Sequence, residues 1–170
     1  MLIALTGTPG TGKSTVSDEL ANRGHQVIRA NDTIGPYIIE EDEERQAHVI
    51  DTDRWRDEFP LREGIVEGHL THLLPVSRVI VIRCRPDVLK ERLVARGYHD
   101  EKVAENVEAE ILDVVLIEAM EEHTPEMIYE IDVTDMTVAE VADMIERIMT
   151  GDLPPRHGVV DWLSTCADLL

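Results

Sequence analysis

Leu2-Ile3-Ala4-Leu5-Thr6-Gly7-Thr8-Pro9-Gly10-Thr11-Gly12-Lys13-Ser14-Thr15 decides how the rest of this 170-residue chain is read. Leu2–Thr6 has the length and composition of a buried strand. Residues 7–14 then fit the pattern G-x-x-x-x-G-K-[ST], and Lys13–Asn22 continues as a helical pattern. The residue types meet a physical requirement. Glycines let successive backbone amides turn inward and approach an oxyanion without a Cβ in the way. A helix opening near Lys13 adds unpaired first-turn amides and the positive end of its dipole. At average glycine and lysine usage the four fixed positions recur by chance at about 4 × 10⁻⁵ per start, so the match carries weight.

Outward from this loop, short β-branched runs alternate with helical patterns. Gln26–Arg29, Ile65–Glu67, Val79–Arg83 and Met127–Val133 read as further strands, and Pro86–Arg96 and Glu101–Glu122 as helices. Thr137 opens a last helix with Glu140 completing a capping box. The alternation predicts an α/β fold, a parallel sheet covered on both faces, in a single domain over 1–170. Residues 31–60, acidic with a Gly35-Pro36 turn, and a tail at 151–170 fall outside it.

Composition narrows the class. No run approaches the 18–20 apolar residues of a membrane span. Met1–Leu5 has neither a basic leader nor a cleavage site. Cys84 and Cys166 are too few for a disulfide scaffold or a zinc motif, and cytoplasmic residence is expected. The net charge is −19, from 35 acidic and 16 basic residues, which disfavours direct nucleic-acid binding. At molar salt the screening length falls to about 3 Å, and the chain reads as adapted to a salt-rich cytoplasm or as a merely acidic protein.

The phosphate loop predicts a nucleotide site. Residues 7–15 are its candidates, with Lys13 on the β- and γ-phosphates of ATP and Ser14 on Mg²⁺. Glu67, at the end of another strand, is either a second holder of the Mg²⁺ shell or an exposed strand-end carboxylate. His69 falls at the same sheet edge, as a catalytic group or a hydrogen-bonded structural one. Arg92 and Arg96, four apart on one helix face, suit adenine stacking and phosphate binding, or are solvated arginines.

Residues 7–15, Glu67-Gly68-His69-Leu70-Thr71-His72-Leu73-Leu74-Pro75, Glu91-Arg92-Leu93 with Arg96-Gly97-Tyr98, and Glu105-Asn106-Val107-Glu108-Ala109-Glu110 together resemble one family. It is the small archaeal and eukaryotic adenylate kinase family, whose eukaryotic members are nuclear kinase/ATPases acting in small ribosomal subunit assembly. The resemblance runs from residue 2 to about 123, and Asp161-Trp162 resembles the archaeal branch. It implies a P-loop NTPase fold of the nucleoside-monophosphate-kinase type, with a five-stranded parallel sheet, an NMP-binding insertion at 31–60 and a short lid at 97–101. It further implies the reaction ATP + AMP ⇌ 2 ADP, a slower ATPase, and a ribosomal-protein partner; we expect a monomer. Glu67 stands where the family usually carries Asp, and His69 matches its histidine linked to ATP hydrolysis. The acceptor side has no motif arginine, which leaves open a P-loop kinase for another small acceptor. Arg29, Arg45 and Arg54 are candidates to grip the acceptor phosphate. Trp55 is read as lining the acceptor pocket or covering the core, Asp51 and Asp53 as helix-capping residues, and Trp162 as an anchor for the tail.

Overall fold

The computed structural model describes residues 1–42, 47–60 and 62–170. In chain order its elements are β1 (Leu2–Thr6), α1 (Lys13–Asn22), β2 (Val27–Arg29), β3 (Ile38–Asp42), β4 (Ala47–Ile50), α2 (Thr52–Glu58) and β5 (Gly64–Glu67). There follow β6 (Arg78–Arg83), α3 (Pro86–Ala95), α4 (Asp100–Ile111), α5 (Val114–Glu122), β7 (Ile128–Asp132), α6 (Val138–Thr150) and α7 (Trp162–Cys166). Five strands form a parallel sheet in the order β2-β5-β1-β6-β7. The most apolar strand, β1, lies at its centre and is buried along its whole length. Strands buried on both faces need cover on both, and two core clusters supply it. One face packs Ala4, Val66, Val79 and Val81 against Trp55, Leu116 and Ala119. The other packs Ile3, Leu5, Ile65 and Ile80 against Leu20, Val141, Ile145 and Ile148. This is the expected α/β, P-loop NTPase kinase fold.

The capping box at α6 is present: Thr137 Oγ1 accepts from the Glu140 amide, and Glu140 accepts from the Thr137 amide. Asp51 caps α2 through the Arg54 amide, as its position predicts. The expected helix over Glu101–Glu122 is two helices. Asp113 takes a left-handed backbone, φ 57°, and its carboxylate accepts from Arg83 Nη2, a contact that a continuous helix would not offer. Residues 31–60 contain an antiparallel hairpin, β3–β4, that alternation with helices did not predict; of the acidic run at 40–44, residues 43 and 44 lie outside the described residues. The tail does not leave the body. Arg156 exchanges backbone hydrogen bonds with Ile128 and Glu130 along the edge of β7, and α7 packs on α3 and α4.

Candidate functional site

The centre of the site is the turn between β1 and α1. Gly7, Gly10 and Gly12 have φ of 146°, 93° and 103°, values that disfavour any side chain. A Cβ at Gly10 would fall 2.8 Å from Leu89 and 2.9 Å from Leu93, so the loop lies directly on α3. Gly12 provides no side-chain cap to α1, and the first-turn amides are therefore left for an anion. Lys13 Nζ donates to the carbonyls of Gly7 at 2.7 Å and Thr8 at 3.0 Å, folded back over the loop. Burial pushes the ammonium down to about 8, while the carboxylates of Glu67 and Glu110 draw it back up.

Glu67 closes β5, next to β1, and this register brings its carboxylate over the start of α1. Ser14 Oγ donates to Glu67 Oε1 at 3.3 Å, and Arg29 Nη1 to Glu67 Oε2 at 3.1 Å. Arg29 also reaches Ser17 Oγ and Asp18. Ser14 and Glu67 are paired hard oxygen donors facing the cleft, chemistry that suits Mg²⁺ completed by phosphate and water. No cluster of three or more His, Cys, Asp or Glu able to hold a metal occurs among the described residues.

A cavity of about 520 Å³ is lined by Lys13, Ser14, Arg29, Glu67, His69, Arg96 and Tyr98, with the loop as its floor. A second, of about 600 Å³, adjoins it and shares Pro9, Asn31, Gly68, His69 and Tyr98. Its remaining walls include Ile34, His48, Ile50 and Trp55 from residues 31–60, and Lys102, Glu105 and Asn106 from α4. Trp55 covers the core, fully buried with its indole N–H bonded to Thr33, and also lines this cavity. A third, mostly apolar cavity of about 620 Å³ lies between β7, α6 and the tail, away from the loop.

His69 stands on the wall common to the first two cavities. The protein crowding round the ring, with Lys13, His72 and Lys102 adding positive charge, pushes it down to about 4. The imidazole is therefore neutral at pH 7. Arg92 lies behind the loop, Nη1 at 3.5 Å from the Gly10 carbonyl and 3.4 Å from that of Thr11, whereas Arg96 faces the first cavity. The expected lid narrows to residues 97–99, because Asp100 and Glu101 already belong to α4.

Of the three candidate acceptor arginines, Arg29 faces the cleft. Arg54 does not: it pairs with Glu58 at 2.8 Å and lies over the Tyr37 ring, outside both cavities. Its helix turns it outward because Trp55 takes the inward face. Arg45 lies outside the described residues. Sequence reasoning gave no site role to Asn31, Asp18, Tyr98 or Lys102, although Tyr98 lies in the segment Arg96-Gly97-Tyr98 that carried the resemblance; Lys102, stacked at 4.6 Å over Tyr98, stands out only as one of three lysines.

A family model described as the AAA domain matches residues 3–113. A relative from Archaeoglobus fulgidus, which carries the name "Putative adenylate kinase", is 48% identical over 172 residues, covering 99% of this chain and 95% of its own. One of the same name from Natronomonas pharaonis is 44% identical, covering 95% and 98%. Among solved structures, shikimate kinase from Acinetobacter baumannii with bound shikimate superposes with a TM-score of 0.60 over 89% of this chain and 93% of that one; at 18% identity the likeness is one of fold.

Proposed function

We propose a reaction from a firm premise: the chain belongs to the AAA-domain family and to the group formed by these archaeal relatives, which match it over nearly its whole length. It is a nucleotide kinase, and the reaction is ATP + AMP ⇌ 2 ADP. The observation that carries this reading is the pair of adjoining cavities, one floored by the phosphate loop and the other walled by residues 31–60 and α4, meeting at His69 and Gly68. Two nucleotides placed so would meet phosphate to phosphate.

The mechanism is then positioning and charge stabilisation. The loop amides and the uncapped first turn of α1 orient the β- and γ-phosphates. An oxygen of the AMP phosphate attacks the γ-phosphorus, the bond from that phosphorus to the β–γ bridging oxygen breaks, and that oxygen leaves with ADP. Lys13 moves from its loop carbonyls to the phosphates, and Arg96 meets them from across the cleft. Mg²⁺ at Ser14 and Glu67 would neutralise phosphate charge. Residues 31–60 act as the acceptor-binding insertion and 97–99 as the lid, and Arg29, which faces the cleft, is the candidate for the acceptor phosphate.

A second reading has one observation in its favour. His69, on the wall common to both cavities, stands where its imidazole can hold and orient an attacking water, which supports a slower ATPase. In that reading the acidic surface meets a basic partner such as a small-subunit ribosomal protein. ADP formation from Mg²⁺-ATP in molar KCl, with and without AMP, separates the two. A large AMP-dependent rate is expected. A slow rate indifferent to AMP and lost in His69→Ala overturns the kinase reading in favour of the ATPase.

A further inference from the structure

The segment Glu105–Glu110 ends in a carboxylate for which the mechanism above has no task. Glu110 is 2% exposed and uses both of its oxygens. Oε2 accepts from the Thr8 hydroxyl of the phosphate loop at 2.6 Å. Oε1 accepts from Arg83 Nε at 2.8 Å, the Cys84 amide at 3.1 Å and the Trp162 indole N–H at 3.3 Å. One side chain therefore joins the loop, the end of β6, α4 and the tail. Arg83 carries the connection onward to Glu130 Oε1 at 2.6 Å, and Glu130 Oε2 accepts from the Val159 amide of the tail at 2.8 Å.

Stability alone accounts poorly for this arrangement. Buried charges lose their hydration, and apolar side chains of equal volume would fill the space at lower cost. A fully partnered buried network instead fixes geometry. The geometry it fixes is local to Thr8, whose carbonyl accepts from Lys13 Nζ at 3.0 Å and from Thr11 Oγ1 at 2.9 Å. Holding the Thr8 side chain holds the peptide on which Lys13 rests.

We propose that Glu110 is a positioning residue for the phosphate loop, acting through the Thr8 hydroxyl, and that the C-terminal tail is part of the same brace through Trp162. The proposal rests on the reading of this loop as the ATP site. Glu110 itself is a poor probe, because its loss strands Arg83. Thr8→Val removes the hydroxyl while keeping the shape, Thr8→Ser restores it, and Trp162→Phe removes only the indole donor.

The full chain is assayed for ATP affinity by calorimetry without acceptor, and for kcat/KM, at a temperature where melting curves show every variant folded. Thr8→Val should lose about tenfold to a hundredfold in both, the cost of a phosphate loop released by up to about 1 Å. Thr8→Ser should return to within about threefold of wild type, and Trp162→Phe should lose a smaller factor than Thr8→Val in the same direction. Thr8→Val at the wild-type level, or Thr8→Ser as impaired as Thr8→Val, overturns the brace. Trp162→Phe at the wild-type level removes the tail from it. A wild-type chain that binds no ATP overturns the ATP-site reading and the inference with it.

Discussion

Two glycines with positive φ, one in the phosphate loop and one outside it, allow backbone strain to be separated from site geometry. Gly7 has φ 146° and Gly24 has φ 96°, so alanine is strained at both. Around Gly24, after α1, a Cβ would meet nothing within 4 Å; at Gly7 it would fall 2.5 Å from the Ile82 carbonyl oxygen. That oxygen belongs to β6, held on both sides by β1 and β7. Gly24→Ala therefore bears only the positive-φ cost, about 1–2 kcal/mol, which lowers the melting temperature by about 2–4 °C per kcal/mol and leaves turnover alone. Gly7→Ala bears a positive-φ strain of its own and a clash that the sheet cannot yield to, so the loop must move by several tenths of an ångström. A reacting group misplaced by about 1 Å costs on the order of 10²-fold. ADP formation should thus fall about 100-fold in Gly7→Ala at a temperature where the protein remains folded, with a larger melting-point drop than in Gly24→Ala. Turnover by Gly7→Ala within about fivefold of wild type would refute the placement of the loop against β6 as a determinant of activity.

Lys13→Met should abolish ADP formation while the fold survives, since the methionine occupies the same buried stem and removes a desolvated charge; near-normal turnover counts against the mechanism. Glu146 is held below its ordinary value of 4.5 first by His25, at 2.7 Å, and then by Arg23, so its contribution is full above that value and is lost as pH falls. Glu146→Gln should lower the melting temperature at pH 7 and much less at pH 3; equal deficits would show the sign to be wrong. Because like charges at −19 repel, melting temperature should rise from dilute buffer to molar KCl, and a flat response would sink the reading of salt adaptation.

The phosphate loop was legible because its chemistry is local: eight consecutive residues set both the backbone path and the ligand class. The central strands β1, β5 and β6 were legible because they are buried on both faces and leave nearly unbroken apolar runs, whereas the exposed, acidic β3 leaves none. What escaped was decided by partners distant in sequence. Nothing near Asp113 announces a break in a helix; Arg83, 30 residues away, provides the reason. Glu110 belonged to a motif quoted for resemblance, yet its task depends on Thr8, 102 residues away. Arg54 looked as suitable as Arg29 for a phosphate, and only the burial of Trp55 decides which way α2 faces.

A net charge of −19 raises the question of how such a surface could receive a polyphosphate. Side-chain charge is a poor answer. Among the described residues, the two adjoining cavities are lined by Lys13, Arg29, Arg96 and Lys102, but also by Asp18, Asp32, Glu67, Glu105 and Glu118. The walls offer no net attraction at long range. What the loop does offer is short-ranged: backbone amides turned inward, and a helix start left without a side-chain cap. At molar salt the screening length of about 3 Å is the length of a hydrogen bond, so screening that erases the repulsion of the surface leaves these contacts in force. Attraction from arginines at a distance would weaken in that solvent, whereas amide contacts at hydrogen-bond length weaken less. The acidic surface and the phosphate loop can therefore evolve independently, because they act over different distances.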